Sequence, residues 1–173
     1  MRRNLLRRLS NRALHLLARF LPGALSVRPF LHRLRGVKIG EDVFIGDDVY
    51  LENEYPEAVE IKRGAQISVR AIIIAHTRGA GGVVIEKDSF IGPNAIIVSS
   101  GSRVLRIGEG AVIGAGVVVT RDVPAHVFLA NEGGKTVAGV RVPLPKAETI
   151  EEFVRGLVPL NRLSKTPVAR GDS

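Results

Sequence analysis

Apolar residues recur in this chain every six positions. Ile39, Ile45 and Leu51 open the series, and after a four-residue slip it resumes at Ile61, Ile67 and Ile73. Ile85, Ile91 and Ile97 continue it, with Gly79 alone interrupting the count, and a second slip leads to Ile107, Ile113 and Val119. Four positions after most of these stands a small or branched residue: Val43, Val49, Ala65, Ala71, Ala95, Ala111, Val117 and Val123.

A helix would repeat its apolar face every three to four residues, and an open sheet has no reason to keep a strict six. Six residues do fit a short strand, which alternates faces every two, followed by a corner. Three such units close one triangular coil, with the branched residues stacked inward coil over coil. Glycine directly after the apolar residue, at Gly40, Gly46, Gly92, Gly108 and Gly114, marks corners that need either positive φ or a close backbone approach. The pattern therefore predicts a β-solenoid over Val37 to Pro124.

Three places break the count. Glu54-Tyr55-Pro56-Glu57 reads as a small loop bulging from a corner, and Ser99 to Arg103 as a four-residue insertion. Between them, strand Ile72-Ile73-Ile74 runs into Ala75-His76 and a glycine-rich stretch before the repeat restarts at Val83. A loop that interrupts stacking forfeits packing, and such loops often carry function.

The flanks follow other rules. Residues 4–21 predict an amphipathic helix with Leu5, Leu9, Ala13, Leu16, Leu17 and Phe20 on one face, stopped by Pro22 and Gly23. A second short helix is expected from Pro29 through Phe30, Leu31 and Leu34 to Gly36. Two roles are open for this pair: an anchor that lays its apolar face on an anionic membrane, or a cap for the end of the solenoid. An organelle transit peptide is a weaker reading of the arginines, and nucleic-acid binding weaker still, since no recognition motif accompanies them. After Pro124 irregular strands are expected to about Val142. Thr149-Ile-Glu-Glu152 matches a capping box and opens a short helix to about Leu157, with a poorly ordered tail from Pro159.

Charge sharpens this division. The 173 residues carry a net charge of +8, yet residues 1–38 hold ten Lys and Arg and no acid, against fifteen bases and seventeen acids in the rest. The basic character belongs to the N-terminal segment. There is no cysteine, which removes disulfides and thiolate chemistry. Aromatic residues make up only 5%, as a thin prism filled with Ile, Val and Ala requires. No apolar run reaches the roughly eighteen residues of a membrane-spanning helix.

Four histidines are candidates for chemistry. His15 reads as a solvated helix residue, His32 as a surface group among arginines, and His126 as a turn residue. His76 differs, because an imidazole at the end of an all-apolar strand needs a partner or a task. The stretches IGEDVFIGDDVY, IIIAHTRG followed by VVIEKDSFIGPNAIIV, and IGEGAVIGAGVVVTRDVP resemble the hexapeptide-repeat acyltransferases that acetylate sugars and related small acceptors. The resemblance implies a left-handed parallel β-helix, acetyl-CoA as acyl donor and a homotrimer with sites between neighbouring prisms. It casts His76 as general base, Phe90 and Asn53 as acceptor contacts, and Gly92, Pro93, Ala115, Thr120 and Arg121 as thioester and CoA contacts. Lys135 remains as a phosphate partner in a closing segment that has lost the family's proline. The aspartate that many sugar acetyltransferases place soon after the histidine is absent.

The sequence thus divides into a basic helical segment (1–36), a β-helix domain (37–142) and a C-terminal helix with tail (143–173). The expected activity is CoA-dependent acetylation, first of a sugar hydroxyl on a surface polysaccharide or its lipid-linked precursor. An amino-sugar nucleotide as N-acetyl acceptor and a non-catalytic scaffold are the alternatives. No nucleic acid or metal is expected; the zinc carbonic anhydrases of this architecture need converging histidines, and no His-x-x-x-x-His spacing exists. The expected location is the cytoplasm, with residues 1–36 touching the inner face of a membrane.

Overall fold

The computed structural model describes residues 5–76, 81–131, 138–141 and 148–159, which fall into two compact units dividing after Asn131. The first unit opens with helices α1 (Leu5–Phe20) and α2 (Val27–Arg35). Twelve short strands then wind into about four coils of a left-handed parallel β-helix. Coil one holds β1 (Lys38–Ile39), β2 (Phe44–Ile45) and β3 (Tyr50–Leu51). Coil two holds β4 (Val59–Ile61), β5 (Gln66–Ile67) and β6 (Ile72–Ile74). Coil three holds β7 (Gly82–Ile85), β8 (Phe90–Ile91) and β9 (Ile96–Val98). Coil four holds β10 (Val104–Ile107), β11 (Val112–Ile113) and β12 (Val118–Val119), after which β13 (Phe128–Leu129) begins another turn.

Parallel pairing sorts these strands into three flat walls. Wall one is β1-β4-β7-β10, wall two β2-β5-β8-β11-β13 and wall three β3-β6-β9-β12. Every hexad apolar residue from Ile45 to Ile113 points inward, so that Leu51, Ile73, Ile97 and Val119 stack in wall three and are all buried. Each buried Ile or Leu contributes about 1.5–3 kcal/mol of hydrophobic stabilisation, and the small residues at Ala65, Ala71, Ala95 and Ala111 let the walls meet at the corners.

The corner glycines act by close approach. A Cβ on Gly92 would lie 2.6 Å from the Ile113 carbonyl oxygen. Positive φ falls two residues further on, at Asp42, Asp48, Asn94, Gly110 and Gly116, where Asp and Asn tolerate the left-handed region.

The three breaks in the count share one edge. Lys38 pairs with Glu60, Val59 with Val83, and Val104 with Gly82. The extra residues of each coil therefore fall between wall three and the next strand of wall one, after β3, β6 and β9. Pro56–Ala58 forms a 3-10 turn in the first of these loops.

Both helices dock on coil one, and they do so with their polar sides. His15 and Ala18 of α1 are buried, as are Arg28, Leu31, His32 and Arg35 of α2. The reason lies in the edge they cover. Coil one has no preceding coil, so its outer backbone groups lack partners. The carbonyls of Arg19 and Ala24 accept from the N–H groups of Asp48 and Ile45, at 3.0 and 2.9 Å. Arg28 Nη1 donates to the Ile45 carbonyl at 3.1 Å, and its Nη2 to Asp47. An apolar side chain in place of Arg28 could supply neither of the last two bonds.

His15 and His32 were expected at the surface; they are instead 4% and 0% exposed, because the helices present their polar sides to the solenoid. Helix α2 also starts two residues before Pro29, which a first helical turn accepts because its N–H groups need no partner inside the helix. It ends at Gly36 (φ 106°), with the Gly36 and Val37 N–H groups bonded to the Arg33 and His32 carbonyls, a Schellman cap.

In the second unit, α3 (Ile150–Arg155) is capped by Thr149, whose Oγ1 accepts the Glu152 N–H at 3.1 Å. The Glu152 carboxylate accepts the Glu148 N–H at 2.7 Å. Leu157, expected at the helix end, begins strand β15 (Leu157–Pro159), which pairs antiparallel with β14 (Ala138–Val140). The expected disordered tail lies outside the described residues beyond Pro159.

Candidate functional site

His76 stands at the edge where the loops emerge, two residues beyond β6. Its Nδ1 lies 2.6 Å from Oε2 of Glu52, the residue that follows β3 one coil earlier. Glu52 is 2% exposed and is saturated with donors. Oε2 also accepts the Ala75 N–H at 3.0 Å, while Oε1 accepts the N–H groups of Glu54 and Tyr55 at 2.7 and 3.2 Å. Burial opposes the Glu52 charge, but the bonds from His76 and from the Ala75, Tyr55 and Glu54 backbone outweigh it and hold the carboxyl below its usual range. An ionised carboxylate only accepts. In the neutral ring His76 therefore carries its proton on Nδ1, and Nε2 holds the lone pair. The imidazole is 31% exposed, and the Tyr55 ring meets it edge-on at 4.8 Å.

A buried cation holds the strand end that carries Glu52. Arg35 Nη2 donates to the Glu52 carbonyl at 2.7 Å, to the Leu51 carbonyl at 3.3 Å and to Asn53 Oδ1 at 3.3 Å. Its Nε donates to Asn11 Oδ1 at 2.7 Å and its Nη1 bonds His32 Nδ1 at 2.8 Å. The Asn11 amide closes the circuit on the Asn53 carbonyl. The helix pair is thus tied through Arg35 to the backbone of Glu52, the residue whose carboxylate bonds His76. Burial lowers the Arg35 pKa to about 10, which leaves it charged at neutral pH.

The other candidates are distributed over two edges. Thr120 and Arg121 lie on the His76 edge, two coils further along, where the Arg103 guanidinium donates to the Thr120 carbonyl at 3.0 Å. Together with Val119, Val123, Leu129 and Asn131 they line a cavity of about 340 Å³. Gly92, Pro93 and Ala115 occupy the edge between walls two and three, where Pro93 accepts the Gly116 N–H at 2.8 Å and Ala115 accepts from Asn131 Nδ2 at 3.3 Å. Phe90 lies on the outer side of wall two, half-buried. Asn53 adjoins Glu52, with its side-chain oxygen engaged by Arg35. Lys135 lies outside the described residues. Among the described residues no cluster of three His, Cys, Asp or Glu side chains is placed to hold a metal ion.

Glu52 is the member of the site that sequence reasoning missed. The available signal was an acid directly after the last apolar residue of a coil, at the edge where the count slips and one coil ahead of the histidine.

Sequence comparison agrees with the left-handed parallel β-helix. Residues 82–121 match the family described as hexapeptide repeat of succinyl-transferase. Residues 82–121 thus carry the hexapeptide repeat of that family, which supports the resemblance read from the sequence. Over 82 residues it is 37% identical to the 2,3,4,5-tetrahydropyridine-2,6-dicarboxylate N-acetyltransferases of Staphylococcus aureus strains JH9, JH1 and Mu3. That stretch covers 47% of this chain and 31% of each relative, so the chain spans about a third of the length of the curated relatives it matches. No solved structure matches it.

Proposed function

We propose that the protein is a CoA-dependent acyltransferase that moves an acetyl group from acetyl-CoA to a hydroxyl or amine, with His76 as general base. The observation that carries this is the Glu52–His76 pair, which in the neutral ring directs the lone pair to Nε2 of a partly exposed imidazole. In the reaction His76 Nε2 takes the acceptor proton as the acceptor oxygen or nitrogen attacks the thioester carbonyl carbon. Negative charge gathers on the carbonyl oxygen, where a backbone N–H would bind it. Collapse breaks the carbon–sulfur bond, and the departing CoA sulfur receives the proton from the imidazolium. Glu52 fixes the ring and stabilises the imidazolium without itself taking the proton.

We assign Gly92, Pro93, Ala115, Thr120 and Arg121 to the acetyl-CoA path, Lys135 to a CoA phosphate, and Phe90 and Asn53 to the acceptor side. One chain holds these residues on two separate edges, so a site made of both needs a neighbouring copy. The outer faces of the walls support a homotrimer. Wall one presents Lys38, Glu60 and Arg106, while wall two presents Phe44, Phe90 and Val112 and wall three Ile72, Ile96 and Val118. Two different apolar faces on one copy suit the head-to-tail interface of a closed ring.

A sugar hydroxyl of a cell-surface polysaccharide or of its lipid-linked precursor is the acceptor we favour, reached in the cytoplasm where acetyl-CoA is made. The similarity to N-acetyltransferases supports a second reading, in which the acceptor is an amine such as that of an amino-sugar nucleotide. A screen of both acceptor classes, read as CoA thiol release, decides between them. Transfer to a sugar hydroxyl that disappears in His76→Ala supports the first reading, and transfer confined to amines replaces it with the second. No transfer to any acceptor by the folded protein leaves the scaffold.

A further inference from the structure

Helix α1 is amphipathic, yet its apolar stripe faces away from the protein. Leu9 is 58% exposed and Phe20 70%, and Leu6, Leu16 and Leu17 are exposed beside them. Phe30 and Leu34 continue the exposed apolar surface on α2. The stripe lies opposite the packed side, because His15 and Ala18 are the residues α1 buries against the solenoid. Nothing in the unit's own core needs these leucines, and the buried Arg28 and Arg35 show what the docking itself requires.

Charge identifies the occupant. Arg7, Arg8, Arg12 and Arg33 are exposed around the stripe, and the segment 1–38 carries no acid. Leu9 and Leu34 share the lining of a cavity of about 240 Å³ with Arg7, Arg8, Arg12 and Arg35; Glu54, 3.5 Å from Arg8, is the acid of that lining, so cations outnumber acids beside the apolar groups. Two copies of this face would set Arg7, Arg12 and Arg33 of one against those of the other, an excess of like charge that disfavours self-association. An anionic bilayer supplies both complements at once: acyl chains for the stripe and phosphates for the arginines.

We infer that the outward face of α1 and α2 is a docking surface for an anionic lipid bilayer, with the helices lying in the headgroup plane and lipid phosphate entering the arginine-lined cavity. Asn53, assigned above to the acceptor side, also lines this cavity, but the inference is tested at Leu9, Phe20 and Arg12, none of which is assigned to the reaction.

The test is co-sedimentation of the full-length protein with vesicles of phosphatidylcholine alone and of phosphatidylcholine mixed with phosphatidylglycerol, at low and high salt. Binding is expected to the mixed vesicles and to weaken with salt. The double variant Leu9→Glu, Phe20→Glu and the single variant Arg12→Glu should each lower it about tenfold or more. Both sets of side chains are exposed, and an unchanged melting temperature confirms that the variants fold. No sedimentation with the mixed vesicles overturns the inference, as does binding that the leucine and phenylalanine changes leave intact. A loss of molecular mass in the double variant also overturns it, by showing that a second copy covers the stripe.

Discussion

Glu52 and His76, 24 residues apart in sequence, are joined by a 2.6 Å bond between Oε2 and Nδ1 across adjacent coils. The carboxylate accepts from four donors, of which the imidazole is one. Replacing the carboxylate with an amide keeps the shape but turns an NH₂ toward groups that are themselves donors. Glu52→Gln should therefore lower kcat by about 10² or more while KM for acetyl-CoA changes little, and His76→Ala should lower it about 10²–10⁴. Steady-state kinetics on the responding acceptor reads both.

Arg35 acts through Glu52. Its guanidinium bonds two backbone carbonyls, two asparagine oxygens and a histidine ring from a buried position, and lysine can replace only part of that fork. Arg35→Lys should cost about 3 kcal/mol of stability in urea unfolding. At temperatures where the variant remains folded, its kcat should fall with KM for acetyl-CoA unchanged. A loss of stability with normal kcat would assign Arg35 to folding alone.

The buried histidines set the acid limit of the fold. Burial first, and Arg35 second, lower the pKa of both His15 and His32 to about 3 from an ordinary 6.5. Both ring nitrogens of His15, and Nε2 of His32, have no hydrogen-bond partner among the described residues. The unfolded chain therefore binds more protons between those two values, so stability is full above pH 6.5 and falls as the pH drops below it. His32 alone should cost about 1.4 kcal/mol per pH unit in that window, with His15 adding a loss in the same direction. Glu52, whose pKa is lowered in the fold, adds its own loss only once the pH falls below the ordinary carboxylate range. Urea midpoints between about pH 7.5 and 5 test this, and His15→Leu should flatten the slope.

The sequence disclosed the solenoid because inward positions in a three-walled prism tolerate only apolar residues at a fixed spacing, and slips in that spacing marked the extruded loops. His76 was visible as the one imidazole at such a slip. Glu52 was not, because a carboxylate after a strand ordinarily reads as a solvated loop acid, and only the pairing of β3 with β6 sets it against His76. The docking of α1 was also illegible. Amphipathicity reveals which face is apolar, but whether that face meets the protein depends on the partner surface. Here that surface is an open strand edge, which takes arginines and backbone carbonyls in preference to leucines. The same reversal buried His15 and His32.

Acetyl-CoA titration calorimetry tests the central claim most directly, since it requires no knowledge of the acceptor. The account predicts saturable binding of about one acetyl-CoA per chain, weakened about tenfold by Arg121→Ala through loss of a charged contact and unaffected by His76→Ala. No binding at millimolar acetyl-CoA by the folded protein would contradict it and leave a β-helix that serves as a scaffold.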